Sequence, residues 1–314
     1  MNPSRPEVLA FFKRTYWEEY DALGDEGIAV LLERGARWRL QDVLSGGGAL
    51  VFPHVHIADC GPYVAAVVDA CLASGADQIL GIGVLHAWTE DMVAARKLPF
   101  SEMEGHPLRQ VYGEGLEGPV DCWRDDHSMV CFVRMLGDGA RLRGVKMPKL
   151  ILRYPFLVGE SPETLPGLPE LTELARDSVI VSTADHCHHG IGYGHSREEA
   201  IYFDDAGLAV VRKMIEEGLA MLGESKLAAY LEHSRGVTKS DWVDAGPVLH
   251  HLLGPLKSEV VAVVPSDFSQ SIYQSPAPTW CAGALVTLKA AVGRKDGVGR
   301  SPSWDPFEGY TYNA

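Results

Sequence analysis

In the first 44 residues, apolar side chains recur at intervals of three and four, at Leu9, Phe12 and Tyr16 and again at Ile28, Leu31 and Leu32. That spacing puts them on one helical face, and it predicts an N-terminal helical cover over residues 1–44. Beyond it the pattern changes. ALVFPHV (49–55), QILGIGVLH (78–86), KLILRYPFLVG (149–159) and DSVIVSTAD (177–185) are continuous apolar, β-branched runs. Helix-like segments separate them, one from about Pro62 and another from Pro162. Continuous apolar runs are strands buried on both faces, and their alternation with helices is the βαβ signature of a parallel or mixed sheet. Three more helical stretches lead to EVVAVVPSD (259–267) and AGALVTLKA (282–290).

No Pro/Gly/Ser linker, long charge run or internal repeat interrupts this rhythm. Residues 45–292 therefore predict one α/β domain, a central mixed or parallel sheet flanked by helices. Residues 293–314, rich in Gly, Pro and aromatics, predict an extended C-terminal tail.

Composition narrows the function by exclusion. Hydrophobic residues at 46% and charged residues at 22% are ordinary for a chain with a substantial core. The 28 Lys and Arg against 42 Asp and Glu give a net charge of -14, which repels phosphate backbones and anionic membranes. Neither nucleic acid nor a membrane is expected as a partner. The N-terminus has no apolar h-region and no stretch approaches the roughly 20 apolar residues of a membrane span, so a cytoplasmic location is expected. Cys60, Cys71, Cys122, Cys131, Cys187 and Cys281 form no C-x-x-C pair and read as reduced, mostly buried thiols. The oligomeric state stays open, a homo-oligomer included.

Ligands of an open α/β sheet bind beyond the carboxyl ends of its strands. Polar residues directly after apolar runs are therefore the first candidates for a site. His54 and His56 follow ALVFP, His86 ends ILGIGVL, and Asp185, His186, His188 and His189 follow VIVST, so half of the chain's 12 histidines fall in this one region. Any one of them could be a strand-end residue satisfied by backbone. As a set they point to a metal, because two imidazoles and a carboxylate leave open positions on ferrous iron.

The order of motifs resembles the Memo family. FPHVHIADCGPYVAA resembles its segment in which Pro-His precedes a Gly-started helix, and GVLH its next strand end. DDHSMVCFVRML is similar to its acidic-His-Ser segment, FLVGESPET to its Leu-Val-Gly loop, STADHCHHG to its Ser-Ser-Asp…His-x-Gly segment, and WCAGALVTL to its closing strand. The resemblance runs from about residue 45 to 290. It implies the fold of the class III extradiol dioxygenases, in which two histidines and a glutamate hold ferrous iron and a further histidine is the acid/base. By position, the metal histidines would be His54 and His86, and the acid/base His188. Memo proteins place a cysteine at the third ligand position. KSDWVDAGPVLHHLLG (239–254) has none, and matching DAGPVLHHLL to the helix after the dioxygenase glutamate puts Asp244 there, with Asp241 a near alternative. Asp244 also reads as an N-cap of the following helix.

The resemblance implies a non-heme Fe(II) dioxygenase of the class III extradiol type, using O2 on a catecholic or related ortho-substituted aromatic; similar ligands also accept other divalent metals. His188 would take a substrate proton and return it. His127 would polarise substrate or bond to a ligand, and His189, Tyr193 and Trp88 would line the substrate side. The alternatives are a Memo-like metal-binding or interaction protein without ring-cleaving activity, and a metal-dependent hydrolase, since Zn2+ with His and Asp ligands also activates water.

Overall fold

Each apolar run becomes a strand of one sheet. In a computed structural model of the chain, residues 5–269 and 277–291 are described; the expected tail at 293–314 lies outside them. The elements run α1 (Arg5–Ala36), α2 (Gln41–Ser45), β1 (Ala49–Phe52), α3 (Ile57–Ala73), β2 (Gln78–Ile82), α4 (Glu90–Ala95), β3 (Gln110–Tyr112), α5 (Val130–Arg143) and β4 (Lys149–Phe156). There follow α6 (Leu168–Arg176), β5 (Val179–Thr183), β6 (Cys187–Gly190), α7 (Asp205–Gly223), α8 (Leu227–Gly236), α9 (Ala245–Leu253), β7 (Leu256–Asp267) and β8 (Thr279–Ala290).

The sheet order is β3-β4-β2-β5-β1-β8-β6, with β7 paired to β8. Strands β4, β2, β5 and β1 are parallel neighbours. Strand β3 is antiparallel to β4, and β1, β6 and β7 all run antiparallel to β8. The sheet is thus mixed, and helices flank it within a single domain. Every residue of β1 and β5 is buried, as strands covered on both faces require.

The arrangement fixes where chemistry can occur. Adjacent parallel strands β1, β5 and β2 end together, so the segments after Phe52, Thr183 and Ile82 emerge side by side. Two elements differ from the sequence reading. Helix α3 starts before Pro62, at Ile57, whose N–H donates to Glu19 Oε2 at 3.0 Å, because a carboxylate from α1 takes one of the helix's unpaired donors. After β4 the chain makes a 3₁₀ turn at Pro162–Thr164 before α6 begins at Leu168. Helix α1 is kinked at Gly24, with φ 57° and ψ 179°, a conformation that only glycine adopts at little cost. The kink lets its first half, carrying Phe12 and Tyr16, lie across the strand ends.

Candidate metal centre

His54 stands two residues past β1. Thr183 Oγ1 donates its one proton to the Phe52 carbonyl at 2.9 Å, so it meets His54 Nδ1, also at 2.9 Å, as an acceptor. His54 therefore carries hydrogen on Nδ1, and its neutral form leaves a lone pair on Nε2. That nitrogen lies 3.1 Å from Asp241 Oδ2. A hydrogen-bonded far nitrogen is how a metal-binding histidine has its tautomer and ring orientation fixed.

His86 reaches the same point from β2, its Nε2 3.4 Å from Asp241 Oδ2. Its segment is held by Asp126, whose Oδ2 accepts from the N–H groups of His86 at 2.5 Å and Ala87 at 3.2 Å, while Oδ1 accepts from Ser128 at 2.8 Å. The same carboxylate lies 3.8 Å from His86 Nδ1.

The third member, Asp241, opens a 3₁₀ turn, Asp241–Val243, that Ser240 caps by accepting from the Trp242 N–H at 3.2 Å. The Trp242 indole donates to Ser182 Oγ at 3.0 Å, and that hydroxyl donates to the Ile82 carbonyl at 2.7 Å, tying the turn to β5 and β2. Asp241 Oδ1 accepts from the Asp185 N–H at 3.0 Å. No hydrogen bond of good geometry reaches Oδ2, although it is shielded from solvent. A buried carboxylate oxygen left so, with two imidazole nitrogens converging on it, fits a cation better than a hydrogen-bond network. His54, His86 and Asp241 thus form a group that could hold a metal ion, with ligand atoms within 4.8 Å of one another.

The electrostatics agree. Burial opposes charge on His54, yet the carboxylates of Asp185 and Asp241 outweigh it and raise its pKa. Burial likewise opposes charge on His86, but the carboxylates of Asp126 and Asp241 beside it push its pKa up to about 10. Asp241 is buried, and the two imidazoles nevertheless hold its carboxyl far below the usual range. The site favours positive charge, which a divalent ion supplies in place of protons.

Two other groups share the region, His86–Asp126–His127 and Asp185–His188–Cys281. The first needs Asp126, already accepting three backbone donors. In the second, Cys281 Sγ is 2.9 Å from the Tyr193 hydroxyl, and burial pushes its thiol well above the usual range, against the thiolate that binds metal.

Asp244, the expected third ligand, is elsewhere. Its Oδ2 is 2.6 Å from Arg96 Nη1, its Oδ1 accepts from the Val158 N–H at 2.9 Å, and it makes no side-chain cap bond to α9. The carboxylate that meets His54 and His86 is Asp241, three residues earlier, while Arg96 and the Val158 N–H hold Asp244. Trp88, expected at the substrate, instead packs beside Phe156 at 6.0 Å and under Arg96 at 5.1 Å, with its indole N–H donating to the Leu85 carbonyl. His189 also turns away. On β6, successive side chains face opposite sides, so His189 Nε2 accepts from the Ile201 N–H at 2.8 Å while its neighbour His188 faces the cavity.

His188, His127 and Tyr193 do line the cavity with His54 and His86. His188 Nδ1 donates to the Lys239 carbonyl at 2.9 Å, which leaves Nε2 as its acceptor. His127 lies under Phe12, rings parallel within 3° and centroids 5.1 Å apart. Burial, with His86 nearby, drives its pKa well below the usual value, so it is neutral at pH 7. The cavity holds about 130 Å³, on the scale of the ~150 Å³ cavity that accepts one benzene ring.

Sequence reasoning gave no role to the groups that orient the ligands, Thr183 and Asp126, or to the α1 residues and Phe268 that wall the cavity. Thr183 carried a weak signal as a hydroxyl at the end of an apolar strand. No protein-family model matches the chain, and no curated protein matches its sequence.

Proposed function

We propose that the protein is a non-heme Fe(II) dioxygenase of the extradiol type, with His54, His86 and Asp241 as metal ligands and a single-ring catechol as substrate. The observation that carries this reading is the convergence of His54 Nε2, His86 Nε2 and Asp241 Oδ2 at the floor of an aromatic-walled cavity of single-ring size. Ferrous iron held by two imidazoles and one carboxylate would supply a redox-active Lewis acid with coordination positions left for substrate and O2.

The chain's own residues supply the rest. His188, fixed through Nδ1 on Lys239, presents Nε2 to accept a catechol hydroxyl proton and to return it later. His127, neutral, can donate a hydrogen bond to a substrate oxygen. Phe12 and Phe268, whose ring centroids are 5.9 Å apart, keep water from the ring. The resemblance to the class III extradiol dioxygenases adds two histidines followed by a carboxylate, an aspartate here in place of their glutamate and of the Memo cysteine.

Anaerobic loading with Fe(II), followed by oxygen uptake with a catechol panel, tests the reading. One O2 should be consumed per catechol, with a coloured ring-opened product. His188→Gln should keep the iron and lower turnover by roughly two to four orders of magnitude. Loss of iron from that variant would make His188 a ligand, and an iron-loaded parent that consumes no oxygen with any catechol would leave a metal-binding protein without ring cleavage.

A further inference from the structure

The first half of α1 is held across the site from three sides. Glu19 accepts from His56 Nδ1 at 2.5 Å as well as from the Ile57 N–H at the start of α3. Lys13 pairs with Asp125 at 3.0 Å, and Asp21 with Arg134 of α5 at 2.5 Å. This anchoring presents Val8, Leu9, Phe12 and Tyr16 to the cavity, with Phe12 stacked on His127. The helix thus contributes Val8, Leu9 and Phe12 as apolar lining beside the Tyr16 phenol, while the histidines and Asp185 come from the strand ends and loops.

Its charge is equally one-sided. Among the described residues that line it there is no Lys or Arg, while Asp185 lines it and Asp241 meets two of its histidines. Arg96 is paired with Asp244, and Lys239, whose Nζ is held at the Tyr193 carbonyl at 2.5 Å, stands outside the lining. Within the lining, a divalent ion would offset the two aspartates and leave no positive charge over, least of all once a catechol gives up a proton. A carboxylate on the ring would then be buried without a partner, a costly state.

We propose that the first half of α1, with Phe12 and Leu9 foremost, is the specificity wall of this site, and that it selects a catechol bearing an uncharged, apolar substituent and rejects one bearing a carboxylate. This rests on the catechol reading above. An alkyl group pointing at α1 gains contact with Leu9 and Phe12, and two buried methylene-sized groups change affinity by about tenfold.

Protein loaded with Zn2+, which does not turn over, allows binding to be read by calorimetry without activity. At neutral pH under argon, 4-ethylcatechol should bind the parent at least about tenfold more tightly than 3,4-dihydroxybenzoate. Phe12→Ala should lose about tenfold for 4-ethylcatechol, and Leu9→Arg, which places a cation on the wall, should shift the preference toward the carboxylate. The Zn2+ content of both variants should equal the parent's. Equal or tighter binding of 3,4-dihydroxybenzoate by the parent overturns the inference and leaves the catechol reading standing. An unchanged preference in Leu9→Arg removes α1 as the wall, and failure of every catechol to bind removes the inference together with the reading on which it rests.

Discussion

His54→Ala and His86→Ala should each lose stoichiometric metal while folding as the parent does. Each replacement removes one of three ligand atoms, and the affinity of a small site falls steeply with ligand count. Neither imidazole is a core contact: each stands beyond its strand, and their ring centroids lie 5.1 Å apart at the cavity floor. In the metal-free protein each change should lower stability without altering the fold, because it removes one of the protonated imidazoles that offset the buried carboxylates. Elemental analysis after anaerobic reconstitution and desalting reads the result; full occupancy in both variants would exclude this centre.

The two aspartates of SDWVDAG should separate cleanly. Asp241→Asn keeps an oxygen for the Asp185 N–H, so the fold should persist, but it removes the negative charge beside both imidazoles and should abolish tight metal binding. Asp244→Ala should do the reverse. It leaves the Arg96 guanidinium, only 15% exposed, without its carboxylate and the Val158 N–H without its acceptor. Removing one partner of such a buried pair costs about 3–5 kcal/mol, so chemical denaturation should show a large loss of stability while metal affinity in the folded protein is unchanged. Metal loss in folded Asp244→Ala, with Asp241→Asn unaffected, would reverse the assignment.

The aspartate register shows what sequence could and could not yield. The strands were legible because runs such as ALVF and VIVST are continuous and β-branched, and His54 and His86 because they follow those runs directly. Choosing between Asp241 and Asp244 required knowing that a 3₁₀ turn intervenes before α9 and that Arg96, far away in the chain, takes Asp244. Nothing local encodes that partner. His189 was misplaced for another reason: CHHG is too short and polar to read as a strand, so the alternation that separates His188 from His189 was invisible. The apolar face of α1 was evident from its spacing, but not that its kink at Gly24 lays it over the histidines.

X-ray absorption of the Zn2+-loaded protein tests the central claim most directly, because, with Asp126 engaged by three backbone donors, the remaining competing group contains sulfur. Ligation by His54, His86 and Asp241 predicts a first shell of nitrogen and oxygen only, at about 2.0–2.2 Å, with the outer scattering of two imidazoles. A sulfur scatterer at about 2.3 Å would put the ion at Asp185, His188 and Cys281 instead, and would contradict the account.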